Sequence, residues 1–263
     1  MSFPTLVIKY GGSVVDDTSL RGKFFSELKM LQRRYRIVMV HGGGKEITSL
    51  AGKVGIETRF KDGLRYTDKD MLEIVVMVLA GKINKFIVSQ LLKSGVRAVG
   101  VSGVDNNLIV GVREVSLGYV GKECRCNPEL LEELLKLRYV VVVSSVGCGE
   151  DGEILNFNAD DVAYSIGEGL GAEKLVFITD VPGVIVNNKV PGDSKAKKMV
   201  KEVVKSLHVD RVEDFINSGI ISGGMIPKVK AAKQFILSAK NRKREVYITN
   251  YEKGLFSGTK IFN

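Results

Sequence analysis

The chain has 263 residues, of which 44 % are hydrophobic and 26 % charged, with 29 glycines and a formal net charge of +9; it is long enough for one large α/β domain or two lobes sharing a sheet. No uncharged apolar run approaches the roughly 18 residues of a membrane span, and residues 1–10 lack the charged start and apolar core of an export signal, so the chain reads as cytoplasmic. Cys124, Cys126 and Cys148 fit no zinc spacing and read as reduced thiols. The basic residues, densest over 195–205 and 240–244, carry no interleaved aromatics, which argues for solvated helix faces and a small polyanionic ligand rather than nucleic acid.

In chain order, apolar runs at 6–10 and 37–40 predict strands, each followed by a glycine cluster and a helix-like segment, the beat of a parallel sheet. After a loop over 57–66, Leu72, Val75, Val76, Leu79, Ile83 and Ile87 predict a helix over 68–93, capped by Asp68. A strand at 98–101, hairpin-like alternation over 107–120, a helix from Pro128 to Lys136 and a central strand at 140–143 follow. The second half predicts a helix at 160–170, a strand at 174–179, a Pro182-Gly183 turn, helices at 196–206, 209–217 and 225–238, and strands at 245–249 and 259–262. No linker or repeat interrupts the chain, so two lobes on one continuous sheet are expected, 1–172 and 173–263.

Five segments carry chemistry. Ile8-Lys9-Tyr10-Gly11-Gly12-Ser13 lets a strand deliver a lysine and then bare backbone N–H groups that phosphate oxygens can approach, although a tight turn with an exposed lysine reads the same way. Val40-His41-Gly42-Gly43-Gly44-Lys45 sets a second glycine loop at the same carboxyl edge. Ile47 breaks the dinucleotide fingerprint, there is no P-loop, and His41 reads as a turn or core histidine outside the chemistry. Arg65, in Asp62-Gly63-Leu64-Arg65-Tyr66-Thr67-Asp68, offers a fork for a carboxylate or is a surface arginine beside a cap. Asn156-Phe157-Asn158-Ala159-Asp160-Asp161 opens a helix that Asn158 can cap, and Ser222-Gly223-Gly224-Met225-Ile226-Pro227-Lys228 feeds a lysine into a helix's first turn.

Together with Gly81-Lys82-Ile83-Asn84-Lys85, Gly171-Ala172-Glu173-Lys174-Leu175 and Thr179-Asp180-Val181-Pro182-Gly183, these segments resemble the amino-acid kinase family, and within it the branch acting on N-acetyl-L-glutamate, from Val7 to about Ala232. The resemblance implies a three-layer α/β/α sandwich around a mainly parallel sheet, with acidic substrate binding and dimerisation in residues 1–172 and ATP in 173–263. It implies ATP-dependent phosphorylation of the side-chain carboxylate of N-acetyl-L-glutamate in arginine biosynthesis, with Mg²⁺ carried by the ATP and no protein metal site. By position, Lys9 and Lys228 match the lysines that neutralise the transferring phosphoryl group, and Asp160 the aspartate that holds them. Gly43, Gly44, Arg65, Asn156 and Asn158 match the substrate site; Gly11, Gly12, Thr179, Asp180, Gly183, Gly223 and Met225 match the nucleotide side. The chemistry agrees: a carboxylate with a pKa of about 4.3 needs no general base, so positioning and charge stabilisation must suffice.

Lys45-Glu46 stands where the branch commonly has Pro-Gln, Ser102-Gly103-Val104-Asp105-Asn106 lacks its lysine, and the stretch over 240–263 lacks its Asp-Gly-Arg segment. No extension precedes Leu6, so a homodimer without the family's arginine-inhibited hexamer is expected. The alternatives are a kinase for aminoadipate or glutamate on an acidic amino-group carrier protein, which the basic surface would suit, and a non-catalytic ligand-binding regulator.

Overall fold

The computed structural model describes residues 3–11, 17–61, 63–189, 199–239 and 243–263. Gly12, the first three residues of the expected helix 196–206 and parts of both basic clusters lie outside the described residues.

Strand β1 (Thr5–Tyr10) leads to helix α1 (Thr18–Leu31), whose first N–H groups are capped by Asp17 Oδ1, 2.7 Å from Ser19 N and 2.9 Å from Leu20 N. Strand β2 (Arg36–His41) runs into α2 (Gly44–Lys53), which starts with no side-chain cap, so its leading N–H groups stay available. A two-residue-per-strand hairpin, β3 (Phe60–Lys61) and β4 (Leu64–Arg65), replaces part of the expected loop. The expected helix over 68–93 is one continuous run in three conformations: α3 (Lys69–Val76), a π-helical stretch Met77–Ile83, and α4 (Asn84–Lys93). Asp68 caps it as expected, accepting from Met71 N at 2.9 Å.

Next come β5 (Ala98–Ser102), β6 (Ile109–Glu114), β7 (Val120–Cys126), α5 (Glu129–Lys136), β8 (Val140–Ser144), β9 (Val146–Gly149), β10 (Ile154–Asn156), α6 (Ala159–Gly169) and β11 (Lys174–Ile178). The chain closes with β12 (Ile185–Lys189), β13 (Met199–Val203), β14 (Ser206–His208), a 3-10 turn Val209–Arg211 into α7 (Val212–Asn217), α8 (Met225–Leu237), β15 (Glu245–Thr249) and β16 (Thr259–Phe262).

Eight strands form one sheet in the order β14-β16-β15-β11-β1-β2-β8-β5. Six of them run parallel, and β16 turns back antiparallel to β15 and carries β14 beside it. Successive strand residues face opposite sides. Val7, Val38, Val141 and Phe177 therefore pack with Leu131 of α5, Ile166 of α6 and Phe235 of α8, while Leu6, Ile37, Val142 and Val176 pack with Phe24 of α1 and Leu91 of α4. Helices on both faces of a mainly parallel sheet give the expected three layers, and β8 is buried end to end because both of its faces are covered.

Two features depart from expectation. The hairpin β6–β7 closes with β9 and β10 into a four-stranded barrel. Its interior is filled by the Phe157 ring: a Cβ at Gly147 would stand 2.9 Å from Phe157 Cε2, one at Gly111 2.7 Å from Cε1, and one at Gly121 would overlap the ring. Glycine at all three positions is what admits the ring. Residues 199–206, expected within a helix, instead form β13, paired antiparallel with β12, and run on into β14 beside β16. The lysine spacing imitates a helical face, but Val200, Val203 and Val204 are stiff β-branched residues that suit a pleated ribbon, and pairing with a distant strand decided the outcome.

Among the described residues no helix is long and apolar enough to cross a membrane. The three cysteines are free, and burial pushes the Cys124 and Cys126 thiols up to about 12, which leaves them protonated and unreactive.

Candidate active site

The carboxyl ends of β1, β2, β8 and β11 meet at one edge of the sheet, where open α/β sheets present their loops. Lys9, next to last in β1, directs its ammonium to Asp160 at the start of α6, with Nζ 3.3 Å from Oδ1. Lys228, in the first turn of α8, reaches the other oxygen of the same carboxylate, Nζ to Oδ2 2.7 Å. The three residues come from positions far apart in the chain, and the lysine side chains keep 17 % and 16 % of their surface exposed. Burial pushes the Asp160 carboxyl up, but the two ammonium groups overcome it and hold it below the usual carboxylate range. The helix N-terminus adds to the same preference for a negative charge.

Three adjoining cavities surround this cluster. The middle one, about 170 Å³, is lined by Lys9, Gly11, His41 to Glu46, and Asp180. A Cβ on Gly11 would sit 3.0 Å from Lys9 Nζ, so a side chain there would push the ammonium out of place.

On one side lies a cavity of about 180 Å³ that includes Gly43, Gly44, Arg65, Asn156 and Asn158 in its wall. Arg65 is buried: Nη2 donates to Gly44 O and Thr48 Oγ1, each at 2.9 Å, and its guanidinium lies over the Phe60 ring. Asn156 donates from Nδ2 to Thr67 Oγ1 at 3.2 Å, which leaves its Oδ1 as an acceptor. Asn158 caps α6 by accepting from Asp160 N at 2.8 Å, which leaves its Nδ2 as a donor. The Phe157 ring locked in the barrel fixes the segment between these two asparagines.

On the other side a larger cavity, about 400 Å³, is lined by Thr179, Asp180, Gly183, Met225 and Lys228, with an apolar wall from Val184, Ile185, Ile220 and Ile221. Gly183 is obligatory: at φ 149° a Cβ would meet Thr259 Oγ1 at 2.5 Å. Gly223 sits in the turn before α8 with φ 55° and is not in the cavity wall, whereas its neighbours Ser222 and Gly224 are.

Sequence reasoning missed Ser145, Phe60 and Val120 on the smaller side and Ile220 and Ile221 on the larger. Ser145 could have been found, because it is the first residue after β8 at the same carboxyl edge. The two isoleucines carry no local signal. His41, read as a core or turn residue, is fully buried beneath the second glycine loop, and burial, opposed by Gly42 O and helped by the nearby Lys85 charge, pushes its imidazole down to about 4.

Residues 4–250 match the model of the amino acid kinase family. The acetylglutamate kinase of Geobacillus sp. (strain WCH70) is 40 % identical over 267 residues, spanning 98 % of this chain and 97 % of that protein. The acetylglutamate kinase of Clostridioides difficile (strain 630) is 40 % identical over 241 residues, 90 % and 81 % of the two chains. Among solved structures, smu.665 from Streptococcus mutans UA159 superposes with a TM-score of 0.82 at 28 % identity, covering 98 % of both chains.

Proposed function

The chain belongs to the amino acid kinase family, and from that premise we propose that it transfers the γ-phosphoryl group of ATP to the side-chain carboxylate of N-acetyl-L-glutamate, giving N-acetyl-L-glutamyl 5-phosphate for arginine biosynthesis. The observation that carries the reading is the Lys9–Asp160–Lys228 cluster, which stands between a small polar cavity and a larger, partly apolar one.

The acceptor occupies the small cavity. Arg65 meets its α-carboxylate; Asn156 Oδ1 accepts from the N-acyl N–H and Asn158 Nδ2 donates to the acyl oxygen, a donor and acceptor pair that an amide matches and a free ammonium does not. The adenine lies against Val184, Ile185, Ile220 and Ile221, which places the phosphates toward Gly11 and the two lysines. The side-chain carboxylate is already ionised, so one of its oxygens attacks the γ-phosphorus directly while the bond to the β,γ-bridging oxygen breaks and ADP leaves with that electron pair. Lys9 and Lys228 meet the charge that spreads over the transferring group, and Asp160 keeps both at the right separation without taking a proton.

Asp160 is already committed to two lysines, whereas Asp180 lines both the middle and the larger cavity, so a Mg²⁺ carried by the nucleotide phosphates would find its carboxylate there. Such a Mg²⁺ would neutralise charge on the phosphate oxygens. Residues 1–172 thus take the acidic substrate and 173–263 the nucleotide. Met77, Phe86 and Leu92, exposed on the run from α3 to α4, support a homodimer that covers this run; a monomeric mass by light scattering would refute that part.

The test is ATP turnover with Mg²⁺ and hydroxylamine trapping of the acyl phosphate, comparing N-acetylglutamate, N-acetylaminoadipate and unblocked glutamate. Product with N-acetylglutamate alone is expected. Turnover only with an amino acid held on an acidic carrier protein would overturn the free substrate while keeping the transfer chemistry.

A further inference from the structure

We propose that His41 is a positioning residue: as the neutral tautomer with its hydrogen on Nδ1, it holds the Gly42 carbonyl back and thereby aims the Gly43 N–H into the cavity it shares with Lys9. The inference deepens the phosphoryl-transfer reading above and rests on it.

The buried network around Asn84 fixes the tautomer. Asn84 follows directly from the π-helical stretch Met77–Ile83, and π turns inserted in helices are often found at functional sites. Its side chain is fully buried, with Nδ2 3.1 Å from Val101 O in β5 and 3.0 Å from Val142 O in β8. Its Oδ1 accepts from Lys85 Nζ at 3.0 Å, and Lys85 also donates to Gly100 O at 2.9 Å. Two carbonyls on one side and an ammonium on the other permit only one orientation of the amide, with its nitrogen toward the strands. That nitrogen is also the atom that faces His41 Nε2, at 3.3 Å. An amide nitrogen accepts no hydrogen bond, so an Nε2–H pointed at it would be unpaired, whereas the Gly42 carbonyl oxygen facing Nδ1 can only accept; both contacts put the hydrogen on Nδ1.

His41 Nδ1 lies 3.1 Å from Gly42 O. In a trans peptide the C=O of one residue and the N–H of the next point in opposite directions, and no described peptide is cis. A Gly42 carbonyl drawn toward the buried ring therefore turns the Gly43 N–H away from it, and His41, Gly42 and Gly43 all line the cavity that holds Lys9. Leu79 and Ile83, from the π-helical stretch, crowd Gly43 so tightly that a Cβ there would stand 2.9 Å from Leu79 Cδ2 and overlap Ile83 Cδ1. The same helical stretch thus presses on the loop with two apolar side chains and orients its histidine with the next residue. An N–H fixed in advance where negative charge gathers is worth more than one that must turn during the reaction.

The experiment has two arms. The chain contains only His41 and His208, so long-range 1H–15N correlation of the wild-type enzyme reads each tautomer separately. An Nδ1–H pattern for His41 supports the proposal; an Nε2–H pattern or an imidazolium at pH 7 overturns it. In the second arm, His41→Leu is expected to lower kcat on the order of 10- to 100-fold, less than the full loss of an oxyanion donor, with KM for ATP and N-acetylglutamate within about threefold. His41→Asn, whose Nδ2–H can stand where Nδ1–H stood, is expected to recover most of that loss. Undiminished kcat in His41→Leu, or equal losses in both variants, overturns the proposal. A wild-type enzyme that phosphorylates no acceptor overturns the transfer reading instead, and the tautomer then decides the geometry of His41 by itself.

Discussion

The same sheet carries two clusters of one carboxylate between two lysines, and they differ in almost everything that matters for catalysis. Asp160 lies between Lys9 and Lys228 at the carboxyl edge. Glu245 lies between Lys174 and Lys260 at the opposite end, where β11 and β15 begin. Glu245 is also tied to Tyr247, whose hydroxyl donates to it at 3.0 Å, and keeps about a quarter of its side-chain surface exposed. Asp160 keeps 8 %. Among the described residues no glycine loop and no helix N-terminus opens beside Glu245, and the cations there cover aromatic rings, Lys174 over both Tyr247 and Phe256. An ion triad thus becomes a candidate catalytic device through its place on the sheet, because only the carboxyl edge turns backbone N–H groups and cavities toward it.

The largest expected effect separates the two clusters. Lys9→Ala and Lys228→Ala should each lower turnover on the order of 10³-fold, and Asp160→Asn on the order of 10²-fold or more by releasing both lysines, measured as trapped acyl phosphate. Lys174→Ala, the matched change at the other end, should leave turnover within about twofold. Comparable losses at both ends would break the comparison.

The next effect tests packing at the catalytic edge. Gly43→Ala forces a methyl into Leu79 and Ile83 and should cost about 1–3 kcal/mol of stability along with most of the activity, read by thermal melting and turnover on the same sample. Gly44→Ala adds a methyl where no atom lies within 4 Å and should melt close to wild type, so any activity it loses reports on the ligand. Arg65→Lys comes third: it keeps the charge and loses the fork that holds Gly44 O and Thr48, so KM for the acceptor should rise roughly tenfold with kcat less affected.

The smallest effect belongs to the structural cluster. The two lysines hold the Glu245 carboxyl down to about 2 against the opposing effect of burial. A carboxyl depressed in the folded state stabilises fully above its ordinary value, and that contribution disappears as pH falls from 4.5 toward about 2. His41 acts at milder acidity: its folded value near 4 lies below 6.5, so the unfolded chain binds the proton first and stability declines as pH drops through that interval. Glu245→Gln should therefore leave turnover at pH 7 unchanged and flatten only the more acid part of the melting profile; an unchanged profile below pH 4.5 would show that Glu245 gains nothing from its lysines.

Much of this architecture was legible because it is written in local chemistry. The apolar runs of β1, β2, β8, β11 and β15, the Asp68 and Asn158 caps and the glycine loop at the end of β2 all act over a few residues, and each stands where its pattern put it. The β12–β13 ribbon was misread because Val200 and Val203 cannot announce the distant strand they pair with. The barrel escaped notice because its signal is three scattered glycines, Gly111, Gly121 and Gly147, that make sense only around one ring.

The sequence by itself determined the strand and helix beat, the two glycine loops and the residue types of the site, because hydrophobic period, capping and the steric freedom of glycine are properties of neighbouring residues. Only the tertiary structure decided which charges meet. Strand order places β1 between β11 and β2, and packing of α6 and α8 on one face of that sheet brings Asp160 to Lys9 and Lys228. It also decided that His41, an unremarkable strand-end residue in the chain, meets Asn84 under the loop, since a buried polar group must find its partner through space and no local pattern records which partner that is.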